Sequence, residues 1–210
     1  MTGLIGKKRG MTSFFDEDGN DVPCTVIEVR PNVVAQVKTE DGKDGYDAVQ
    51  LGAGEKKKWR ATSAHRGQFE SVGANVKDTL SEFRDYGEDV EAGDTLYVED
   101  VFEAGQTVDV AGVTKGKGFQ GVVKRHGFSG VGMQTHGQSD QERHPGSIGG
   151  ASDPARVFPG MEMGGHTGGE RATMKNLRVM KVIPDNHALL VSGSVPGPKD
   201  GYVEVYRHDN

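Results

Sequence analysis

Hydrophobic and polar positions alternate along several short runs of the chain, and turn residues separate these runs. Runs rich in β-branched residues span 22–29 and 33–38, with Arg30-Pro31-Asn32 between them. Asp41-Gly42 and Asp200-Gly201 are turn dipeptides of the same kind. Further runs with strand character span 46–51, 94–101, 107–110, 177–183, 188–192 and 202–206. Short strands with tight turns and little helix predict a mainly β fold organised as an antiparallel barrel.

Residues 61–91 follow a different period. Val76, Leu80 and Phe83 recur at positions i, i+4 and i+7, which is the spacing of one face of a short helix. We therefore predict a small α-containing insertion at 61–91. The predicted β-barrel body comprises the segments 1–60, 92–111 and 175–210.

A long glycine-rich segment, residues 112–174, interrupts the predicted body. Half of the 32 glycines of the chain, 16, lie between Gly112 and Gly169. The segment lacks strong signals of secondary structure, so we predict an extended loop, and loops of this length are generally functional or disordered. Phe119 and Phe128 distinguish it from a solvated Gly/Ser linker. We expect it to become ordered against a partner.

The net charge of −6 conceals an uneven distribution of charged residues. Residues 1–111 carry net −9, residues 112–181 carry net +5, and residues 182–210 carry net −2. Eleven acids and one base lie in 78–109, whereas 112–127 contains four bases and no acid. A basic, glycine-rich segment on an acidic chain indicates a polyanionic partner such as RNA.

Several classes of protein are disfavoured by what the chain contains. The single cysteine, Cys24, excludes an intrachain disulfide framework and a thiolate metal cluster. No apolar run is long enough for a signal peptide or for the ~18–20 residues of a membrane helix. The histidines of 112–174 are widely separated, which disfavours a zinc site and favours hydrogen bonding or stacking with RNA. We therefore expect a soluble, intracellular protein located in the cytoplasm.

The run Gly116-Lys117-Gly118-Phe119-Gln120-Gly121 matches the G-x-G-x-x-G pattern of nucleotide-binding loops. That pattern needs a helix that begins at the third glycine, and the β-branched Val122-Val123 predicts that no helix begins there. An alternative to RNA binding is a nucleotide-dependent enzyme that uses residues 116–121 as its phosphate loop. A protein-only scaffold that uses the acidic region 78–109 is a second one. Lysine among glycines also suits RNA phosphates, because glycine lets the backbone approach them closely.

Longer motifs point to one family. The chain opens with Gly3-Leu4-Ile5-Gly6-Lys7-Lys8-Arg9-Gly10-Met11-Thr12. A second run leads from Phe102 through Asp109 and Gly112-Val113-Thr114-Lys115-Gly116-Lys117-Gly118-Phe119-Gln120-Gly121 to Arg125. Later motifs are Thr135-His136-Gly137, Arg143-His144-Pro145-Gly146-Ser147-Ile148-Gly149, Gly164-Gly165-His166-Thr167-Gly168 and Val195-Pro196-Gly197. In this order, and over the whole chain, they resemble the bacterial L-three family, the third protein of the large ribosomal subunit.

The resemblance implies a six-stranded β-barrel of the translation-factor type, with a small insertion and a long extension into ribosomal RNA. It implies a structural, non-enzymatic constituent of the large ribosomal subunit that binds the large-subunit (23S-type) rRNA near its 3′ end. An early role in assembly and an extension that reaches toward the peptidyl transferase centre are expected. The ribosomal proteins numbered fourteen and nineteen are expected neighbours. No cofactor, metal, small-molecule substrate or membrane is expected.

The predicted rRNA-binding residues fall into three chemical groups. Cationic side chains are expected to contact phosphates: Lys7, Lys8, Arg9, Lys57, Lys58, Arg60, Lys115, Lys117, Lys124, Arg125, Arg143, Arg156, Arg171 and Lys175. Small residues are expected to let the backbone approach RNA: Gly116, Gly118, Gly121, Gly146, Ser147 and Gly149. Histidines are expected to hydrogen-bond or stack: His136, His144 and His166. No catalytic residue is predicted.

The chain departs from the family in its charge, because the family is normally basic. We therefore hypothesise that the protein works at high intracellular salt, where an acidic solvent-facing surface aids solubility. Salt at 1 M screens charges beyond ~3 Å, so binding would depend on buried, shape-matched contacts of the extension. Some relatives carry an N-methylated glutamine where Ser152 stands here, so that modification is predicted to be absent.

Overall fold

The structure is a computed structural model, and it describes residues 2–16, 19–87, 89–131, 136–137 and 141–208. Thr135, part of one quoted motif, lies outside these ranges. The strands are β1 (Gly3–Phe15), β2 (Asp21–Glu28), β3 (Asn32–Lys38), β4 (Ala48–Glu55), β5 (Lys77–Arg84), β6 (Thr95–Leu96), β7 (Thr107–Val113), β8 (Phe119–Gln120), β9 (Gly165–His166), β10 (Arg171–Ile183), β11 (Ala188–Ser192) and β12 (Tyr202–Arg207). The helices are α1 (Ser63–Ser71), α2 (Val98–Val101) and α3 (Val122–His126), with 3₁₀ turns at Lys58–Arg60 and Pro184–Asn186.

Six strands close into an antiparallel barrel in the order β1-β12-β7-β10-β11-β2. Pairing of β1 with β2 completes the ring, with Lys7 opposite Glu28. Alternate residues of each strand point inward, so side chains such as Leu4, Val110 and Val205 are fully buried. The mainly β fold with a closed six-stranded barrel is therefore confirmed.

A second sheet, in the order β5-β4-β3-β6, contains residues that were predicted to lie in the barrel. Segment 1–60 was expected to be barrel throughout, but β3 and β4 lie in this second sheet. The reason is that every strand of a closed barrel already has two partners, so no edge is left for further strands. Buried Asn32 marks the departure point. Its side chain accepts from Ile5 N (3.0 Å) and donates to Ile5 O (3.1 Å).

The helix predicted from Val76, Leu80 and Phe83 is wrong, because this segment leads into strand β5. The three residues do not share a face. Phe83 lies in the main core and is close to the ring of Tyr206, at 5.2 Å between centroids. Val76 and Leu80 instead contact a small cluster around Phe69. Burial on both faces of a strand can imitate the spacing of one helical face.

One other local prediction also differs from the structure. The strand expected over 94–101 is only β6, after which the chain turns into α2. Asp100 accepts a hydrogen bond from Tyr97 N at 2.9 Å, and this side-chain bond favours a helical turn over further strand. The helix α1 begins after Thr62, whose hydroxyl accepts from His65 N at 3.4 Å. Only Phe69 of α1 is buried, so its sequence shows no helical periodicity.

The chain forms two compact units, Met1–Thr114 with Arg171–Asn210, and Lys115–Glu170. The predicted extended loop, residues 112–174, is therefore shorter, because β7 continues to Val113 and pairs with β10 from Arg171 onward. The second unit also has its own structure. In it, β8 pairs with β9, and Phe119 lies opposite His166.

Candidate nucleic-acid interface

Two glycine-rich motifs pair inside the unit Lys115–Glu170. Lys117 N–H donates to Thr167 O at 2.8 Å, and Thr167 N–H donates to Gly118 O at 3.1 Å. The β8–β9 ladder continues this pairing. Pairing with the segment around Thr167 therefore holds the backbone of the glycine-rich run at 116–121 in place. This partner lies far along the chain, so the run's own sequence does not reveal it.

A cavity of about 300 Å³ lies beside this pairing and is lined by Lys117, Gln120, Lys124 and Thr167. We call these four residues the cradle. Two of these four side chains are cationic and two are neutral and polar, and none is acidic. The buried Thr167 Oγ1 has no hydrogen-bond partner among the described residues. Cationic and neutral polar side chains without an acidic one suit an anionic group such as a phosphate.

Gly168 lets the segments around Lys115 and Thr167 approach each other closely. Its φ of +71° lies in the left-handed region, and a Cβ on it would stand 2.1 Å from the carbonyl oxygen of Lys115. Both conditions require glycine at this position. Gln120, Thr167 and Gly168 belong to the family motifs but were not among the predicted binding residues. Their position in the quoted motif was the available signal.

The expectation that no helix begins at Val122 is wrong, because α3 spans Val122–His126 with Gly121 as its N-cap. Gly127 ends it with a left-handed φ of +77°. Contacts with a distant segment stabilise this turn despite its β-branched residues. Arg125 and His126 both hydrogen-bond to Met163 O, at 2.9 Å and 3.0 Å.

Arg125 thus has an internal structural role, unlike Lys117 and Lys124. Its guanidinium also lies against Gly165, where a Cβ would meet Nη1 at 2.3 Å. The lysines of the cradle are exposed, and no ion pair involves them within the described residues. Among the predicted cations of this motif, the two lysines are therefore better placed for an external phosphate than Arg125.

Two phenylalanine rings of the unit Lys115–Glu170 are open to solvent. Phe119 is 69% exposed and contacts the ring of His166 edge-on, at 5.9 Å between centroids. Phe158 is 53% exposed, and the guanidinium of Arg156 lies 5.4 Å from its centroid. Exposed rings beside cations are typical of surfaces that stack on RNA bases.

Other predicted residues of this unit lie on its surface. Exposed side chains are Lys115, His136, Arg143, His144 and Ser147. A Cβ would meet open space at Gly116, Gly118, Gly121 and Gly146, while at Gly149 it would stand 3.7 Å from Arg156 O. These glycines thus lie away from close contacts with their own chain, and their surfaces are accessible to a partner.

The N-terminal cations Lys7, Lys8 and Arg9 have partners inside their own unit. Lys7 Nζ lies 5.6 Å from the centroid of the Tyr202 ring. Lys8 Nζ donates to Val195 O at 2.8 Å, and Arg9 forms ion pairs with Glu28 and Asp200. Lys8 and Arg9 therefore stabilise the chain segment that precedes β12.

Arg171 is also engaged, since its guanidinium forms an ion pair with Glu204. Burial alone would raise the pKa of the Glu204 carboxyl, but hydrogen bonds from Ser81, Arg171 and Tyr206 hold that pKa below its ordinary value. Burial and the bond to Glu204 raise the pKa of Tyr206 to about 12. This network is a structural element of the barrel surface.

The positive charge of 112–181 is divided between the two units. Residues 115–170 contain six bases and five acids, so their net charge is only +1. The strand β10 carries Arg171, Lys175, Arg178 and Lys181, all of them exposed. Arg178 and Lys181 were not among the predicted binding residues, although they lay within the basic segment.

Lys57, Lys58 and Arg60 lie in an exposed turn of the first unit, and none of their side chains is buried. No group of three possible metal ligands occurs within the described ranges. In the same ranges, no helix is both long and apolar enough to cross a membrane.

Comparison with known proteins agrees with the motifs. The family described as ribosomal protein L3 matches residues 73–188. The chain is 60% identical over 206 residues to the large ribosomal subunit protein uL3 of Salinibacter ruber, and this similarity covers 98% of the chain and 99% of that protein. The chain therefore belongs to the ribosomal protein L3 family.

Proposed function

We propose that the chain binds large-subunit rRNA through residues 115–170 and that the cradle holds a phosphate of that RNA. The observation that carries this proposal is the cavity lined by Lys117, Gln120, Lys124 and Thr167. Two cationic side chains line this cavity and no acidic one does, so charge-assisted hydrogen bonds would hold a phosphate there.

Membership of the ribosomal protein L3 family makes the chain a structural constituent of the large ribosomal subunit and not an enzyme. The alternative of a nucleotide-dependent enzyme is therefore rejected. The G-x-G-x-x-G run is followed by a helix of only five residues. Its lysines are better explained as RNA contacts than as parts of a nucleotide site.

Replacing Lys117 and Lys124 with alanine is expected to weaken binding of a large-subunit rRNA transcript. Each phosphate contact that is lost should also lower the slope of log affinity against log salt by about 1. Filter binding between 0.1 and 1 M KCl measures both quantities. The matched control replaces Lys43 and Lys199, two exposed lysines of the other unit. Equal slopes for the two double variants would reject the cradle as a phosphate site.

The remaining contacts are proposed at exposed cations and histidines. These are Lys57, Lys58, Arg60, Lys115, His136, Arg143, His144, Arg156, His166 and Lys175. Gly116, Gly118, Gly121, Gly146 and Gly149 would let the RNA backbone approach. Lys8, Arg9, Arg125 and Arg171 would act mainly by positioning the elements that carry these contacts.

The family resemblance supports a finer placement, which we include in the proposal. Binding would occur near the 3′ end of the rRNA and early in assembly, with residues 115–170 directed toward the peptidyl transferase centre. The neighbours would be the ribosomal proteins numbered fourteen and nineteen. Chemical footprinting of assembled subunits tests this placement, and protection confined to other rRNA regions would reject it.

We also propose that the acidic surface adapts the protein to high salt. Residues 78–109 contain eleven acids; Glu88 lies outside the described residues, and eight of the other ten are exposed. Exposed like charges repel each other, and salt shortens the range of this repulsion from about 8 Å at 0.15 M to 3 Å at 1 M.

The melting temperature is accordingly expected to rise when KCl increases from 0.15 to 1 M. Replacing Glu91, Glu99 and Glu103 with glutamine should reduce that rise, because three of the repelling charges are removed. Thermal unfolding monitored by circular dichroism measures both. A wild-type melting temperature that falls in 1 M KCl would contradict the proposal.

A further inference from the structure

The only tryptophan of the chain, Trp59, is 72% exposed. Tryptophan has the largest ring system of any side chain, so an exposed tryptophan leaves a large apolar surface in contact with water. A ring in this position therefore suggests a contact that the isolated chain does not make.

Trp59 lies in a basic run of the sequence, and one of these cations contacts its ring. Lys56, Lys57 and Lys58 precede it, and the guanidinium of Arg60 lies 4.7 Å from the centroid of its ring. Because most of Trp59 stays exposed despite this contact, the opposite face of the ring is open. Lys56 pairs with Asp78 at 3.3 Å, whereas Lys57, Lys58 and Arg60 form no ion pair within the described residues.

The backbone around Trp59 is held firmly. Lys56 N–H donates to Val76 O at 3.0 Å, and Arg60 N–H donates to Lys57 O at 2.9 Å. On the far side, Ala61 contacts the small core cluster around Phe69. The ring is thus presented by a pre-organised turn, which lowers the entropy lost when a partner binds.

We infer that Trp59 is a stacking platform for one unpaired nucleobase of the rRNA, with Lys57, Lys58 and Arg60 contacting the adjoining phosphates. The inference rests on the proposed rRNA-binding function and adds a site in the unit that does not contain the cradle. An aromatic face flanked by cations is the arrangement that holds single-stranded nucleic acid. A protein partner fits less well, because the centres of protein interfaces are depleted in lysine.

The single tryptophan provides a direct readout. Titrating the full chain with a large-subunit rRNA transcript should quench tryptophan fluorescence and reduce its quenching by acrylamide. Both changes should reach half of their final value at an rRNA concentration equal to the dissociation constant that filter binding gives. Trp59→Ala should raise the dissociation constant about 5- to 150-fold. Trp59→Phe, which retains a stacking ring, should keep most of the wild-type affinity.

Phe15→Ala is the matched control, because Phe15 is 67% exposed but lies outside any basic run. It should leave affinity unchanged. Wild-type binding without a change in fluorescence, or Trp59→Ala binding with wild-type affinity, would overturn the inference alone. Fluorescence that responds to purified large-subunit proteins but not to rRNA would also overturn it. Absence of any rRNA binding by the wild type would reject the proposed function and this inference together.

Discussion

Gly168→Ala is expected to lower rRNA affinity roughly tenfold or more while the barrel stays folded. The new Cβ would stand 2.1 Å from the carbonyl oxygen of Lys115, a distance that forces the backbone apart. Separating these segments breaks the pairing of Lys117 with Thr167 and so disperses the cradle. The loss of even one charge-assisted hydrogen bond corresponds to about 1.5–3 kcal/mol, which sets the lower limit of the effect.

Gly169→Ala is the matched control for this prediction. Gly169 has the same φ of +71°, but a Cβ there would meet nothing within 4 Å. It therefore tests the cost of the left-handed backbone without the steric clash. Filter binding measures affinity, and the melting temperature of the barrel reports folding. If both variants bind equally, the close approach of Gly168 to Lys115 is not what organises the cradle.

Gly3→Ala is expected to destabilise the barrel by about 1–3 kcal/mol, the range of an overpacked core. A Cβ on Gly3 would stand 2.3 Å from Val205 O in β12 and 2.8 Å from Phe83 Cε1. Both groups are rigidly held, so β1 and β12 must separate and weaken their ladder. The melting temperature should fall by about 2–12 °C.

Gly10→Ala is the control for the barrel, because Gly10 lies in the same strand with open space where its Cβ would stand. Thermal unfolding of both variants separates close packing from the general effect of glycine in a strand. A Gly3 variant as stable as the Gly10 variant would show that β1 can move away from β12 without loss.

Short apolar strands that turn residues bound were predictable to within a residue or two. The runs at 22–29, 33–38, 188–192 and 202–206 correspond to β2, β3, β11 and β12. Apolar and β-branched residues are concentrated in these runs and turn residues bound them, so the information that specifies them is local. The closed barrel could be anticipated because many such strands follow each other.

Local patterns failed where distant contacts decide the backbone. Leu80 and Phe83 contact different clusters from opposite faces of β5, which sequence spacing alone represents as one helical face. The turn of α3 forms against β-branched propensity because Arg125 and His126 bind Met163 O, far along the chain. Tertiary contacts commonly override weak propensities in this way.

The linear order of residues alone establishes the family, the strand-rich class and the contrast between acidic ends and a basic middle. These properties depend on residue type and spacing, which folding does not change. Which cations are available to RNA depends on the folded chain instead. Lys8, Arg9 and Arg171 are engaged by carbonyls or carboxylates of other elements, whereas Lys117 and Lys124 converge with Thr167 on one cavity. A side chain's free hydrogen-bonding capacity is set by neighbours distant in the chain, and only folding brings those neighbours together.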